Sequence, residues 1–201
     1  MRTRSLLLLL PLLSFAACAG SEPAPEAGAG DVPYLSDIPM LGSFFMEDAM
    51  DTPTMVDIPN YTILSQQVAG GGFITAEQVA TLPGKGYTTV INLQYERESG
   101  VAAEIAAAEA AGLQYVSVPV GGGNFTLEHA KQVSDAIAQA PGHVLLHCRS
   151  GGRVSAVWAL TRALDEGLTP EEAAVVAAEE GCRPIPESMV ERVRTELREA
   201  R

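Results

Sequence analysis

The stretch His143-Val144-Leu145-Leu146-His147-Cys148-Arg149-Ser150-Gly151-Gly152-Arg153-Val154 decides how this chain is read. His143 to His147 is a short apolar run following Pro141-Gly142, the mark of a buried strand. Val154 to Leu164 is an apolar helical run, so the cysteine and the two glycines fall in a strand-to-helix turn. Open α/β sheets bind ligands beyond the carboxyl ends of their strands, and Cys148 stands at that place. The amides of Arg149, Ser150, Gly151, Gly152 and Arg153 can curl around a tetrahedral oxyanion, with the positive end of the following helix aimed at it. The same field favours the thiolate of Cys148, a nucleophile at neutral pH. Arg153 closes the loop with a planar fork suited to two oxygens of a transferring phosphoryl group. Cys148 and Arg153 are therefore the expected catalytic pair. His147 is expected to orient the loop through hydrogen bonds to backbone rather than to act as a base.

Working outward, the elements alternate. Tyr61 to Leu64 reads as a short strand, and Thr75 with Gln78 forms a capping box for a helix ending near Pro83-Gly84. Tyr87 to Leu93, rich in Tyr, Thr, Val and Ile, is a buried strand. The alanine-rich Val101 to Ala111, closed by Gly112, is a helix, and Leu113 to Val118 is a strand. Thr126 caps a helix to about Ala140; Thr169-Pro170-Glu171-Glu172 opens another, and Glu187 to Arg198 is a last charged one. Strands alternating with helices predict the α/β class, a mostly parallel central sheet flanked by helices.

His147-Cys148, a glycine-containing loop and Arg153 together resemble the signature of the protein tyrosine and dual-specificity phosphatase superfamily. The wider stretch, from Tyr61-Thr62-Ile63-Leu64-Ser65-Gln66 through Ile74-Thr75-Ala76-Glu77-Gln78 and Val90-Ile91-Asn92-Leu93, resembles the small bacterial phosphatase-like domains related to the beta-lactamase hydrolase-like family. The likeness spans about residues 58–182. It implies a cysteine phosphatase-like fold and hydrolysis of phosphomonoesters through a phosphocysteine, with no cofactor. It also implies substrate contacts from His147, Arg149, Ser150, Gly151, Gly152 and Ser155.

The match has three departures. Four residues separate Cys148 from Arg153, where the superfamily commonly has five, and the shorter spacing is shared with both the bacterial phosphatase-like group and the rhodanese sulfurtransferases. That leaves persulfide chemistry open as an alternative. Val154 stands where the superfamily favours a hydroxyl residue after the arginine, with Ser155 next. The loop that usually supplies an aspartate general acid, here Val118-Pro119-Val120-Gly121-Gly122-Gly123-Asn124, contains no acid. Glu128 and His129, or Glu96 and Glu98, are the nearest candidates, and a non-catalytic phosphate-binding module is the third reading. The triple glycine reads equally as a flap over the site or as a tolerant surface loop.

The N-terminus, with Arg2 and Arg4, the apolar Leu6 to Leu13 and Ser14-Phe15-Ala16-Ala17-Cys18, reads as an export signal over residues 1–17. Its cysteine after small residues resembles a bacterial lipobox, which implies lipidation of Cys18 and a lipoprotein in the cell envelope facing the periplasm. Residues 18–57, rich in Pro, Ala and Gly and lacking Lys and Arg, read as an acidic tether, with a short helix possible at Met40 to Met50. Residues 58–201 then form the phosphatase-like domain. With thirteen basic against twenty-five acidic residues, net charge -12, contact with nucleic acid is disfavoured and the membrane is met through the lipid alone. A phosphorylated substrate therefore needs strong local positive compensation. Cys148 and Cys182 are too few for a disulfide framework; Cys182 reads as structural, and the spacing of His and Cys predicts no metal.

Overall fold

The protein is represented by a computed structural model that describes residues 51–199. The export signal, Cys18, the Met40 to Met50 segment and most of the tether lie outside the described residues. The remainder forms five strands and six helices. These are β1 (Thr62–Ile63), β2 (Val68–Gly71), α1 (Ala76–Val79), β3 (Tyr87–Asn92), α2 (Val101–Ala110) and β4 (Gln114–Ser117). After them come α3 (Leu127–Gln139), β5 (His143–His147), α4 (Gly152–Glu166), α5 (Pro170–Glu179) and α6 (Glu187–Glu199).

The strands form one sheet in the order β1-β2-β5-β3-β4. Pairing is parallel throughout except at the short edge strand β1, which runs antiparallel to β2. The mostly parallel α/β architecture expected from the alternation of elements is therefore the observed one. β5 lies at the centre between β2 and β3 and is buried along its whole length. Its side chains alternate between two apolar layers, as the two-residue period of a strand requires. Val144 and Leu146 face a layer shared with α3, α4, α5 and α6, while Leu145 faces one shared with Val79 of α1 and Ala108 of α2. α4 is buried from Val154 to Thr161 because it runs between the sheet and its neighbours α3, α5 and α6.

The capping boxes legible in the sequence are present at Thr75 with Gln78 and at Thr169 with Glu172. α1 is shorter than expected and is followed by a 3-10 turn at Pro83–Lys85. β2 is an element the apolar pattern does not announce, since Val68-Ala69-Gly70-Gly71 offers little side chain to read. Its glycines answer to close packing. A Cβ on Gly70 would lie 2.8 Å from Leu64 Cδ1, and one on Gly72, just past the strand, 2.8 Å from the Pro59 carbonyl oxygen. The packed chain also begins upstream of Ile58. Val56 is buried, the Tyr87 hydroxyl donates to the Thr54 carbonyl at 3.0 Å, and Lys85 Nζ donates to the Met55 carbonyl at 2.9 Å.

Gly72 connects this packing to the cysteine loop, for its N–H donates to Pro59 O at 2.7 Å and it forms an antiparallel bridge with Ser150. Gly72→Ala is expected to lower the stability of the domain by about 1–3 kcal/mol, because backbone rather than a flexible side-chain tip must yield. Urea unfolding of the two proteins measures this, and an unchanged midpoint would show that the segment around Pro59 is free to move.

Candidate active site

Cys148 follows the last residue of β5, and α4 begins at Gly152, so the loop joins the central strand to the most buried helix. Its start is pinned by the sheet, since Cys148 N–H donates to Gly71 O and Arg149 O accepts from Phe73 N–H. Its end is turned by Gly151, whose φ of 83° is left-handed and favours glycine. That turn brings the Gly151 N–H to within 3.2 Å of Cys148 Sγ, as a donor to the sulfur. Cys148 is fully buried against the apolar core, whereas Arg149 and Ser150 on the outer half of the loop are exposed.

Arg153, one residue into α4, reaches across the ring. Nη1 donates to Glu98 Oε1 at 2.7 Å, Leu93 O at 3.0 Å and Val120 O at 3.1 Å, and Nη2 donates to Glu98 Oε2 at 2.7 Å. The guanidinium is thus a bidentate partner of one carboxylate and is anchored to the loops that follow β3 and β4. The Glu98 hydrogen bonds raise its pKa first; burial opposes this, and the sulfur of Cys148 facing it adds to the rise. Only 14 % of the arginine's side chain is exposed.

Glu98 requires a correction to the sequence reading, which offered it as a general acid. The hydrogen bonds from Arg153, with further ones from Tyr95 N–H and Gln94 Nε2, hold its pKa down to about 2. At neutral pH it has no proton to give and serves to hold the arginine. His129 is likewise committed, with Nδ1 accepting the Thr126 N–H at 3.0 Å in a capping box at the start of α3. Glu128 is exposed on the first turn of that helix and accepts from Gln132 Nε2. Glu96 is exposed in an open groove of about 650 Å³ that it lines with Tyr95, Arg97, Ala102, Ser117 and Pro119. The turn at Gly121 to Gly123 carries no carboxylate, and its Gly121 lies against the Tyr95 hydroxyl.

Two of the expected substrate contacts lie beneath the ring. His147 is fully buried, and its Nε2 sits 2.8 Å from Glu104 Oε1 instead of meeting loop backbone. The reason is α2, which brings Glu104 under the end of β5. The same oxygen accepts the Tyr115 hydroxyl at 2.9 Å, and that hydroxyl accepts from Asn92 Nδ2 at 2.6 Å. Burial first raises the pKa of Tyr115, which remains a neutral donor. Ser155 is also buried and donates to Gly151 O at 3.1 Å, so it braces the loop turn. Neither side chain is placed to meet a ligand. The sequence did carry a signal for Glu104, which shares the buried face of α2 with Val101 and Ala108 at helical spacing, a carboxylate on an apolar stripe.

Cys148 and Cys182 are both free thiols. Burial pushes the Cys182 thiol up to about 11, so it stays protonated and unreactive at neutral pH, in keeping with a structural role. Among the described residues no group of three His, Cys, Asp or Glu side chains is placed to hold a metal ion.

A cysteine and an arginine at one strand-to-helix junction, at the carboxyl end of a mostly parallel sheet flanked by helices, define a phosphatase-like fold. Residues 60–165 match the beta-lactamase hydrolase-like protein, phosphatase-like domain, and the chain belongs to that family. A beta-lactamase hydrolase-like protein of Xylella fastidiosa is 34% identical over 113 residues, which are 54% of this chain and 26% of that protein. One of Agrobacterium fabrum is 33% identical over 89 residues, 42% of this chain and 21% of that protein. The chain thus spans about a quarter of the length of these curated relatives. Among solved structures, a protein from Neisseria meningitidis assigned as a phosphatase aligns with a TM-score of 0.55 and 27% identity, over 68% of this chain and 98% of that one. The catalytic domain of the PP-IP phosphatase SIW14 from S. cerevisiae shares the fold, with a TM-score of 0.56 and 12% identity over 71% and 88% of the two chains.

Two outcomes follow from the buried contacts. Glu104→Ala leaves the His147 and Tyr115 groups buried without their acceptor and is expected to cost about 2–4 kcal/mol of stability, read by urea unfolding. The second concerns pH. The pKa of Glu98 falls from 4.5 to about 2 on folding, so its ion pair adds stability in full above about pH 4.5 and loses it as pH falls toward 2. Glu98→Gln should therefore be less stable than the parent at pH 6, with the gap closing between pH 4.5 and 2. A gap of constant size across that window would show that the pair does not titrate as described.

Proposed function

We propose that this domain hydrolyses phosphomonoesters through a phosphocysteine on Cys148. The observation that carries the reading is the Gly151 N–H directed at the sulfur at 3.2 Å, in a strand-to-helix loop followed directly by Arg153, whose guanidinium Glu98 holds in place. The sulfur attacks phosphorus and the bond to the leaving oxygen breaks. The loop amides and Arg153 bear the charge on the non-bridging oxygens as the phosphoryl group passes. Water then attacks the phosphocysteine, which releases inorganic phosphate and returns the sulfur. Membership of a phosphatase-like family supports this chemistry.

The absence of a carboxylate from residues 118–124, together with the commitment of Glu98 to Arg153, favours substrates whose leaving oxygen departs without a proton, such as aryl phosphates. We place the activity in the cell envelope, on a chain lipidated at Cys18, a setting supported by the sequence of residues 1–18.

Turnover of p-nitrophenyl phosphate by the full chain tests the proposal. Cys148→Ser is expected to abolish it, by more than about a thousandfold, and Arg153→Ala to lower kcat/KM by about a hundredfold or more. Full activity in Cys148→Ser would remove the mechanism. The complete covering of the sulfur favours a second reading, a module that binds phosphate without turning it over. Tight phosphate binding with no hydrolysis of several esters would select it. Formation of thiocyanate from thiosulfate and cyanide would instead select the sulfurtransferase chemistry that the short loop shares.

A further inference from the structure

The described arginines of this acidic chain divide into two groups. Arg153, Arg162, Arg192, Arg194 and Arg198 each meet a carboxylate. Arg97, Arg149 and Arg183 form no ion pair among the described residues; Arg149 lies in the cysteine loop, Arg183 contacts it, and Arg97 adjoins the Glu98 that holds Arg153. Arg149 follows Cys148, and its guanidinium lies over the Phe73 ring at 5.4 Å. Arg183 Nη1 donates to Ser150 O at 3.0 Å, an oxygen also held by Asn60 Nδ2. Arg97 stacks on Tyr95 at 4.3 Å, beside the Glu98 that grips Arg153.

Each of the three is positioned by a neutral partner, an aromatic face or a carbonyl oxygen, so its place is set while its charge is left uncompensated. In a chain of net charge -12 with carboxylates in excess, that pattern departs from the one found elsewhere on the surface. Glu96 stands next to Arg97 and offsets part of its charge, so the weight falls on Arg149 and Arg183. Both are exposed, and both contact or adjoin Ser150 on the open half of the ring. They add positive charge to the outer face of the cysteine loop, beyond that of Arg153.

Resting on the phosphatase reading above, we infer that the substrate carries a second anionic group next to the reacting phosphate, held by Arg149 and Arg183. Arg149 adjoins Ser150 in the chain and Arg183 holds the Ser150 carbonyl at 3.0 Å, so both attach to one loop residue, and we take the ligand to be a small one with adjacent phosphates in preference to an extended acidic phosphopeptide.

The test uses the full chain carrying Cys148→Ser, so that ligands are bound and not consumed, with dissociation constants read by calorimetry at constant ionic strength. Inorganic pyrophosphate is expected to bind about tenfold or more tighter than inorganic phosphate, and Arg149→Gln with Arg183→Gln to bring that ratio to about twofold or less. A merely structural role for these arginines would weaken both ligands together and leave the ratio standing. Equal affinities in the parent, or a ratio unmoved by the substitutions, overturns the inference. A phosphotyrosine peptide with acidic neighbours that binds tighter than pyrophosphate through the same arginines overturns the small-ligand class. Hydrolysis by the unsubstituted chain is scored separately: no turnover with the expected ratio refutes the phosphatase reading and upholds the rim, and the reverse result does the opposite. Failure of every ligand to bind refutes both.

Discussion

The structure depends on one guanidinium. Arg153 stands in the first turn of α4, just past the loop after β5, yet its hydrogen bonds go to Leu93 O and Glu98 after β3 and to Val120 O after β4. Three loops that leave the same end of the sheet are thereby tied at a single point. A bidentate arginine pair is directional as well as strong, so the knot fixes an orientation that a lysine would not. It also keeps a largely covered positive charge at the start of α4, where an unpaired arginine would pay heavily for lost hydration. The carboxylate that satisfies the arginine is itself locked by Tyr95 N–H and Gln94, and Gln94 N–H is held by Asn92 Oδ1.

Beneath this knot lies a second polar layer. Asn92, Tyr115, Glu104 and His147 come from β3, β4, α2 and β5, and their hydrogen bonds link these four elements next to the strand end from which the cysteine loop leaves. Buried polar groups are costly when unmatched, so such a layer specifies one relative placement of the strands and α2. The site is thus set from two sides. Arg153 fixes the loops above the strand ends, and the Glu104 layer fixes the strands below them. The residues that touch solvent there, Arg149 and Ser150, are the ones left free to meet a ligand.

The parts of this arrangement legible in the sequence are those set by local rules. A five-residue apolar strand, a glycine turn and an apolar helix place Cys148 and Arg153 by chain connectivity alone. Capping boxes at Thr75 and Thr169 are likewise local hydrogen bonds between near neighbours. β2 escaped because its identity as a strand comes from its neighbours β1 and β5 and from the tight packing of Gly70 against Leu64. The roles of the carboxylates escaped for a related reason. Glu96, Glu98 and Glu104 differ little as letters. Only the path of the chain after β3 gives Glu98 to the arginine, leaves Glu96 in solvent and turns Glu104 inward to His147. The true contacts of His147 and Ser155 were hidden too, because the side on which a loop residue is covered depends on elements far along the chain.

The central claim is that the sulfur of Cys148 becomes bonded to phosphorus during turnover. It is tested most directly by rapid acid quench of the full chain mixed with p-nitrophenyl phosphate, followed by mass spectrometry of the peptide that contains Cys148. The account predicts a phosphoryl adduct on Cys148 that decays as inorganic phosphate is released. Hydrolysis proceeding with an unmodified Cys148, or with the phosphoryl group on another residue, would contradict it.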